Sequence, residues 1–268
     1  METAAEYQNP DARPGETLKF QVTANTSDED IARNIQANAA LELPWLKTQP
    51  AHEASAVIIG GGPSAADHID EIRMMQQGGA HVFAVNGASL WARKHKVTPN
   101  FQFIADAQEV TATLVDPEAL EHIFASQVHP KTMASVAKPT VCHLGSANLM
   151  DHLPAEKLQE GGFAILGGGV SAGSLVPSLI YAMGYRDLHL FGLDSSYRNG
   201  KSHAYDQPMN GTIPCIEFEL EGETFVASLP MKLQAEKLLG IVDQLKAGGC
   251  TLTVYGNGLF QALYNHRH

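Results

Sequence analysis

Cysteine is scarce in this chain. Cys142, Cys215 and Cys250 lie far apart, are odd in number and form no Cys-x-x-Cys pair, which excludes a zinc knot and a disulfide framework. They read as ordinary thiols in a reducing compartment. Positive charge is short as well. Eighteen Lys and Arg stand against 29 Asp and Glu, a formal charge of −11. General nucleic-acid binding needs clustered cations to neutralise phosphates, so it is not expected. No apolar run approaches the roughly 20 residues of a membrane span. Met1-Glu-Thr-Ala-Ala-Glu6 shows no basic region leading into an apolar one, so no signal peptide and a cytoplasmic location are expected. Solenoid repeats and low-complexity tracts are missing too. What remains is 44% hydrophobic and 18% charged residues in a chain of 268, enough to bury a sizeable core in one large domain.

The chain divides into an N-terminal arm and helix over residues 1–50 and a main domain over 51–268. Residues 1–25 carry Pro10, Pro14 and Gly15 and read as a loose arm with a short strand at 18–22. Ser27 followed by Asp28, Glu29 and Asp30 signals a helix start. Ile31, Ile35, Ala39 and Leu43 recur at helical spacing until Pro44. Beyond residue 54, apolar strands are expected at 56–59, 82–85, 101–105, 140–143, 163–166, 188–192 and 252–255. Helices are expected at 65–77, 88–95, 117–125, 171–183 and 231–247. Alternation of this kind predicts an α/β fold, a doubly wound, mostly parallel Rossmann-like sheet. A small β-hairpin, inserted at about 213–229, interrupts it before the last long helix.

In such sheets ligands sit beyond the carboxyl ends of the strands, and the polar residues of this chain gather there. Gly60-Gly61-Gly62-Pro63-Ser64 follows the first strand of the main domain. Glycines let backbone N–H groups approach an anion, and the helix start adds partial positive charge. A tight turn with no ligand would also need glycine. Gly167-Gly-Gly169-Val-Ser171-Ala172 precedes a later helix with the same logic. Asn86 stands after the second strand, where a dinucleotide site would carry an acid, so an NAD(P) oxidoreductase is the least favoured reading. Asp106 and Asp194 end two further strands, and each is either a functional carboxylate or a local cap. His203, in Gly200-Lys-Ser-His-Ala-Tyr205, is the strongest candidate for proton transfer, because imidazole titrates near neutrality. Gly200-Lys-Ser202 lacks the preceding glycine of a P-loop and follows a strand–Asp junction, so that motif is rejected. Met74, Met75 and Trp91 read as packing residues, and His266-Arg-His268 as a solvated tail.

These segments together resemble the MptE-like family, which includes the Maf flagellin glycosyltransferases and archaeal 6-hydroxymethylpterin diphosphokinases. The resemblance runs over roughly residues 30–265. It rests on Gly60-Gly-Gly-Pro-Ser64, on Val170-Ser-Ala-Gly-Ser174 leading into Gly192-Leu-Asp194, and on Tyr197-Arg-Asn-Gly-Lys-Ser-His-Ala204. The chain is also similar, more distantly, to bacterial lipooligosaccharide sialyltransferases. These share the Gly-Pro-Ser loop, the Asn after the second strand and a Tyr downstream of Gly-x-Asp. Tyrosines there steady the departing phosphate; Tyr197 matches the first, and His203 stands where the second would be. No histidine between 206 and 225 matches their catalytic base.

The resemblance implies a nucleotide-dependent transferase acting on a nucleotide or sugar-nucleotide donor, a CMP-linked one included, and an unidentified acceptor. Gly60, Gly61, Gly62, Pro63, Ser64, Asn86, Gly169, Ser171 and Ala172 would hold the nucleotide, and Asp194, Tyr197 and His203 would carry the chemistry. Pyrophosphoryl transfer from ATP to a pterin-like alcohol is the alternative within the fold, with Asp106 as a metal ligand if Mg²⁺ is required. A non-catalytic nucleotide-binding module is the third reading. No tightly bound cofactor is expected, and oligomerisation is left open.

Overall fold

The computed structural model describes residues 4–7, 18–21, 25–145, 147–167, 169–206 and 214–268. Apart from two strands, the expected loose arm lies outside them. Those strands, β1 (Ala4–Tyr7) and β2 (Leu18–Gln21), pair antiparallel. Helix α1 (Asp28–Ala39) follows, capped by the Ser27 hydroxyl, which accepts from the Asp30 amide at 3.1 Å. It stops at Ala39, so Leu43 meets the core from the extended segment beyond rather than from the helix. Buried Asn38 ties α1 to the main domain by donating to the Ser126 and Val128 carbonyls at 2.8 and 2.7 Å.

The main domain runs β3 (Ser55–Ile59), a 3₁₀ turn (Pro63–His68), α2 (Ile69–Gln77), β4 (His81–Val85), α3 (Ala88–Lys94) and β5 (Phe101–Ile104). A second 3₁₀ turn (Glu109–Leu114) leads to β6 (Glu121–Ala125), α4 (Pro130–Met133), β7 (Thr140–Leu144), α5 (Ala147–Met150), α6 (Ala155–Glu160) and β8 (Ile165–Leu166). Then come α7 (Ala172–Ala182), β9 (Asp187–Phe191), the hairpin β10 (Cys215–Leu220) and β11 (Glu223–Ser228), α8 (Leu229–Ala247), β12 (Thr251–Val254) and α9 (Leu259–Arg267). Eight strands form one parallel sheet in the order β12-β9-β3-β4-β5-β6-β7-β8. Alternate residues of β3 face opposite layers. Ala56 and Ile58 join a core with Leu175, Val176 and Leu179 of α7. Val57 and Ile59 join a second core with Ile72 of α2 and Trp91 of α3. Both faces are covered, which is the reason the strands are almost wholly apolar.

Several elements differ from expectation. Residues 117–125, expected as a helix, supply β6 between β5 and β7; Ile123, Phe124 and Ala125 are buried there as a strand. An apolar run that short suits either element, and the vacancy between two parallel neighbours decides it. The expected strand over 163–166 is only Ile165–Leu166. Met74 is 65% exposed rather than packed. The expected C-terminal tail belongs to α9, with His266 on Glu221 and Arg267 on Asp243. The hairpin turn forms at Glu221-Gly222, both left-handed (φ 51° and 83°).

Candidate functional site

The chain proceeds outward from β3 through β4 to β8, then returns to place β9 on the other side of β3. The loops after β3 and β9 therefore diverge from one point, the crevice where doubly wound sheets hold ligands. Here the two loops are packed backbone to backbone. The Gly62 amide donates to the Gly192 carbonyl at 2.7 Å. A side chain on Gly60 would strike Gly192, and one on Gly62 would strike the Asp194 carboxylate. Gly192 itself is left-handed (φ 64°). These glycines serve close approach of the loops. Asp194 is 2% exposed and accepts from the Ser64 amide at 3.2 Å, so its carboxylate holds the start of the first 3₁₀ turn. Burial raises that carboxyl above its ordinary range, and hydrogen bonding from Ser64 and the charge of Arg198 oppose the rise.

Above this floor lies a cavity of about 150 Å³. Pockets that bury a drug-sized ligand run to about 300–1,000 Å³, so this one has room for a group no larger than a phosphate or a single sugar. Gly61, Gly62 and Asn86 line it from the sheet, Ser171 and Ala172 from the start of α7, and His203 and Tyr205 from the loop after β9. That loop is fastened down by the Ala204 amide, which donates to the Gly61 carbonyl at 2.9 Å. The His203 ring rests where a Gly61 side chain would be, and its Nδ1 lies 3.0 Å from the Ser202 hydroxyl. Burial lowers the His203 imidazole below its ordinary value and raises the Tyr205 phenol. At neutral pH the histidine is uncharged and the phenol keeps its proton. The start of α7 is built by a reciprocal cap: Ser171 accepts from the Ser174 amide at 3.2 Å, and the Ser171 amide donates to the Ser174 hydroxyl at 3.0 Å. Helix geometry leaves the Ala172 and Gly173 N–H groups without an intrahelical acceptor, and both residues line the cavity. Asn86 is left-handed (φ 49°), and its buried Oδ1 has no protein hydrogen-bond partner.

Other expected site residues stand elsewhere. Tyr197 bonds the hairpin: its amide donates to the Val226 carbonyl at 2.7 Å, and its phenol, raised by burial, neighbours Cys215. Gly169 packs on Leu175. Gly60, Pro63 and Ser64 lie behind the lining. Asp106 accepts from Asn25 at 3.0 Å, from the Gln108 amide at 2.9 Å and from the Thr111 hydroxyl at 3.3 Å, bonds that brace the approach to the second 3₁₀ turn. Among the described residues no three His, Cys, Asp or Glu side chains are grouped to hold a metal ion. Ser195, Ser196, Met231 and Gln234, which no motif singles out, also line the cavity. The place of Ser195 beside Asp194 is a signal in the sequence; Met231 and Gln234 carry none.

Fold and site define a doubly wound α/β protein with a polar cavity at the switch point of a parallel sheet. The chain belongs to the MptE-like family: the family model "6-hydroxymethylpterin diphosphokinase MptE-like" matches residues 29–200. A solved structure, the Maf glycosyltransferase from Magnetospirillum magneticum AMB-1, shares the fold with a TM-score of 0.64 at 17% identity. That alignment covers 88% of this chain and 38% of the Maf structure, so this chain spans well under half of its neighbour's length. No curated protein matches the chain.

Proposed function

We propose that this protein is a nucleotide-dependent transferase that moves a sugar from a sugar nucleotide to an acceptor hydroxyl. The observation that supports it is the convergence of Gly61–Gly62, the first turn of α7 and His203 on one cavity. The Ala172 and Gly173 N–H groups and the helix dipole suit the phosphate of a donor. The bond from the anomeric carbon to the phosphate oxygen breaks, and the acceptor oxygen takes its place on that carbon. The acceptor proton passes to the neutral imidazole of His203, and the phosphate leaves with the electron pair. Fixed dipoles aimed at that departing charge are a large part of catalysis in such sites.

The family description favours a second reading, pyrophosphoryl transfer from ATP. That reaction asks for Mg²⁺ held by carboxylates. The two carboxylates the sequence offers for that role are already engaged by the protein, Asp194 by the Ser64 amide and Asp106 by Asn25, Gln108 and Thr111, which favours the first reading.

Thermal denaturation with CMP, UDP, GDP, ATP–Mg²⁺ and NAD tests the choice. A ligand at 100 times its Kd adds about 2.7 kcal/mol of apparent stability. Stabilisation by a sugar-nucleotide base without metal is expected, and strict dependence on ATP–Mg²⁺ would replace the first reading by the second. Replacing His203 with Ala should lower kcat far more than it weakens nucleotide binding; unchanged turnover removes His203 from the mechanism.

A further inference from the structure

Five non-glycine residues among those described have left-handed backbone: Asn86, Lys96, Ser195, Asn199 and Glu221. Lys96, Asn199 and Glu221 are in exposed turns. Asn86 and Ser195 line the cavity. Asparagine tolerates this conformation; serine does so at a cost. Ser195 (φ 53°) is 7% exposed, and its neighbours hold it there. The Asp194 carbonyl accepts from the Phe260 amide at 3.0 Å, and the Ser196 hydroxyl accepts from the Leu259 amide at 3.1 Å. Pinned on both sides by the start of α9, residue 195 is turned toward the cavity. Strain held in place by its surroundings is a mark of functional positions.

The Ser195 hydroxyl also has a defined electronic role. Gln234 of α8 donates its Nε2 to Ser195 Oγ at 3.2 Å. An amide nitrogen only donates, so Oγ is the acceptor and its own proton remains to be given. The same Gln234 nitrogen lies 3.9 Å from where a Gly173 side chain would begin, which sets this pair over the first turn of α7. None of the described residues lining the cavity is Lys or Arg. A bound anion must therefore be met by uncharged donors: backbone N–H groups, side-chain amides, imidazole and hydroxyls.

We propose that Ser195 is a ligand-contacting residue that donates its hydroxyl to an anionic oxygen of the donor phosphate, with Gln234 as the residue that positions it. The proposal rests on the reading of this cavity as a donor site. It predicts opposite effects on stability and on binding. Ser195→Gly removes the hydroxyl but relieves the backbone, so the free protein should melt at a higher temperature. Its Kd for the nucleotide that stabilises the wild type should rise about tenfold or more, the loss expected for a hydrogen bond to a charged group. Ser195→Ala should lose the same affinity without the gain in melting temperature. Gln234→Leu should weaken binding less than either. The measurement is thermal denaturation and titration calorimetry of each variant of the 268-residue chain with CMP, UDP, GDP and ATP–Mg²⁺. A Kd within twofold of wild type in Ser195→Gly overturns the role of Ser195 and leaves the donor site standing. Affinity that merely follows stability, kept in Ser195→Gly and lost in Ser195→Ala, shows a structural role and overturns it too. No stabilisation of the wild type by any of the four overturns the donor reading and this proposal together.

Discussion

A methyl group on Gly62 would land on the Asp194 carboxylate and the Gly192 carbonyl. The backbone there (φ −64°, ψ 151°) is open to any residue, so the penalty is one of space alone. Gly62→Ala should cost about 1–3 kcal/mol, the range for overpacking, measured by urea denaturation. At Gly61 the obstacles are side chains rather than backbone, the His203 ring and the Tyr205 hydroxyl. Gly61→Ala should therefore fold nearly as well as wild type and bind nucleotide poorly. Burial of His203 makes a further prediction, with its sign fixed. The lowered imidazole stays neutral to below pH 6.5, so the acid limb of kcat/KM should fall below 6.5. A limb at or above that value would show that another group sets it. Gly61, Gly62 and Asn86 are legible in the sequence because each lies within about three residues of the end of an apolar strand, and in a parallel sheet that place is the ligand-binding edge. Tyr197 stands out only through the family motif, and its phenol neighbours the hairpin cysteine. Gln234 is invisible in the sequence, since only the packing of α8 brings it over the cavity.

Among elements, α7 joins fold and site most directly. Its reciprocal Ser171–Ser174 cap satisfies first-turn N–H groups while leaving those of Ala172 and Gly173 to the cavity. Ser171→Ala should cost about 1 kcal/mol in thermal stability, the usual worth of an N-cap, and should also loosen nucleotide binding. If stability falls and affinity holds, the cap serves the helix alone. Element type is readable where an apolar run is long or strictly bounded, as for α8 or β3. It is not at 117–125, where Ile123-Phe124-Ala125 is too short to reveal a period and the neighbours β5 and β7 impose a strand. Helix α9 is hard to read because its ion pairs with Glu221 and Asp243 come from distant segments.

For the molecule as a whole, one buried histidine sets a limit on acid stability. His143 is fully buried against Ser126, 2.7 Å away, and beside Trp45. Burial lowers its imidazole to about 4, against a smaller opposing pull from the Leu149 backbone. Below pH 6.5 the unfolded chain binds this proton and the folded one does not. The stability that depends on keeping His143 neutral, up to about 3 kcal/mol, is thus intact above pH 6.5 and lost as pH falls toward 4. Urea unfolding at pH 7 and pH 4.5 should show a smaller drop for His143→Phe than for wild type. Parallel drops would assign the acid sensitivity to other groups.

The return of β9 to the side of β3 also governs how the protein is made. Ser55 and Asp187 face each other across the sheet, 132 residues apart in the chain. Strands β3 to β8 can pair in the order they leave the ribosome, each beside its predecessor. During that interval β3 keeps one bare edge, an invitation to aggregation, and contacts of such long sequence separation are slow to close. The cavity has no floor until β9 arrives and lacks Gln234 until α8 follows, so ligand-binding competence should come late in synthesis.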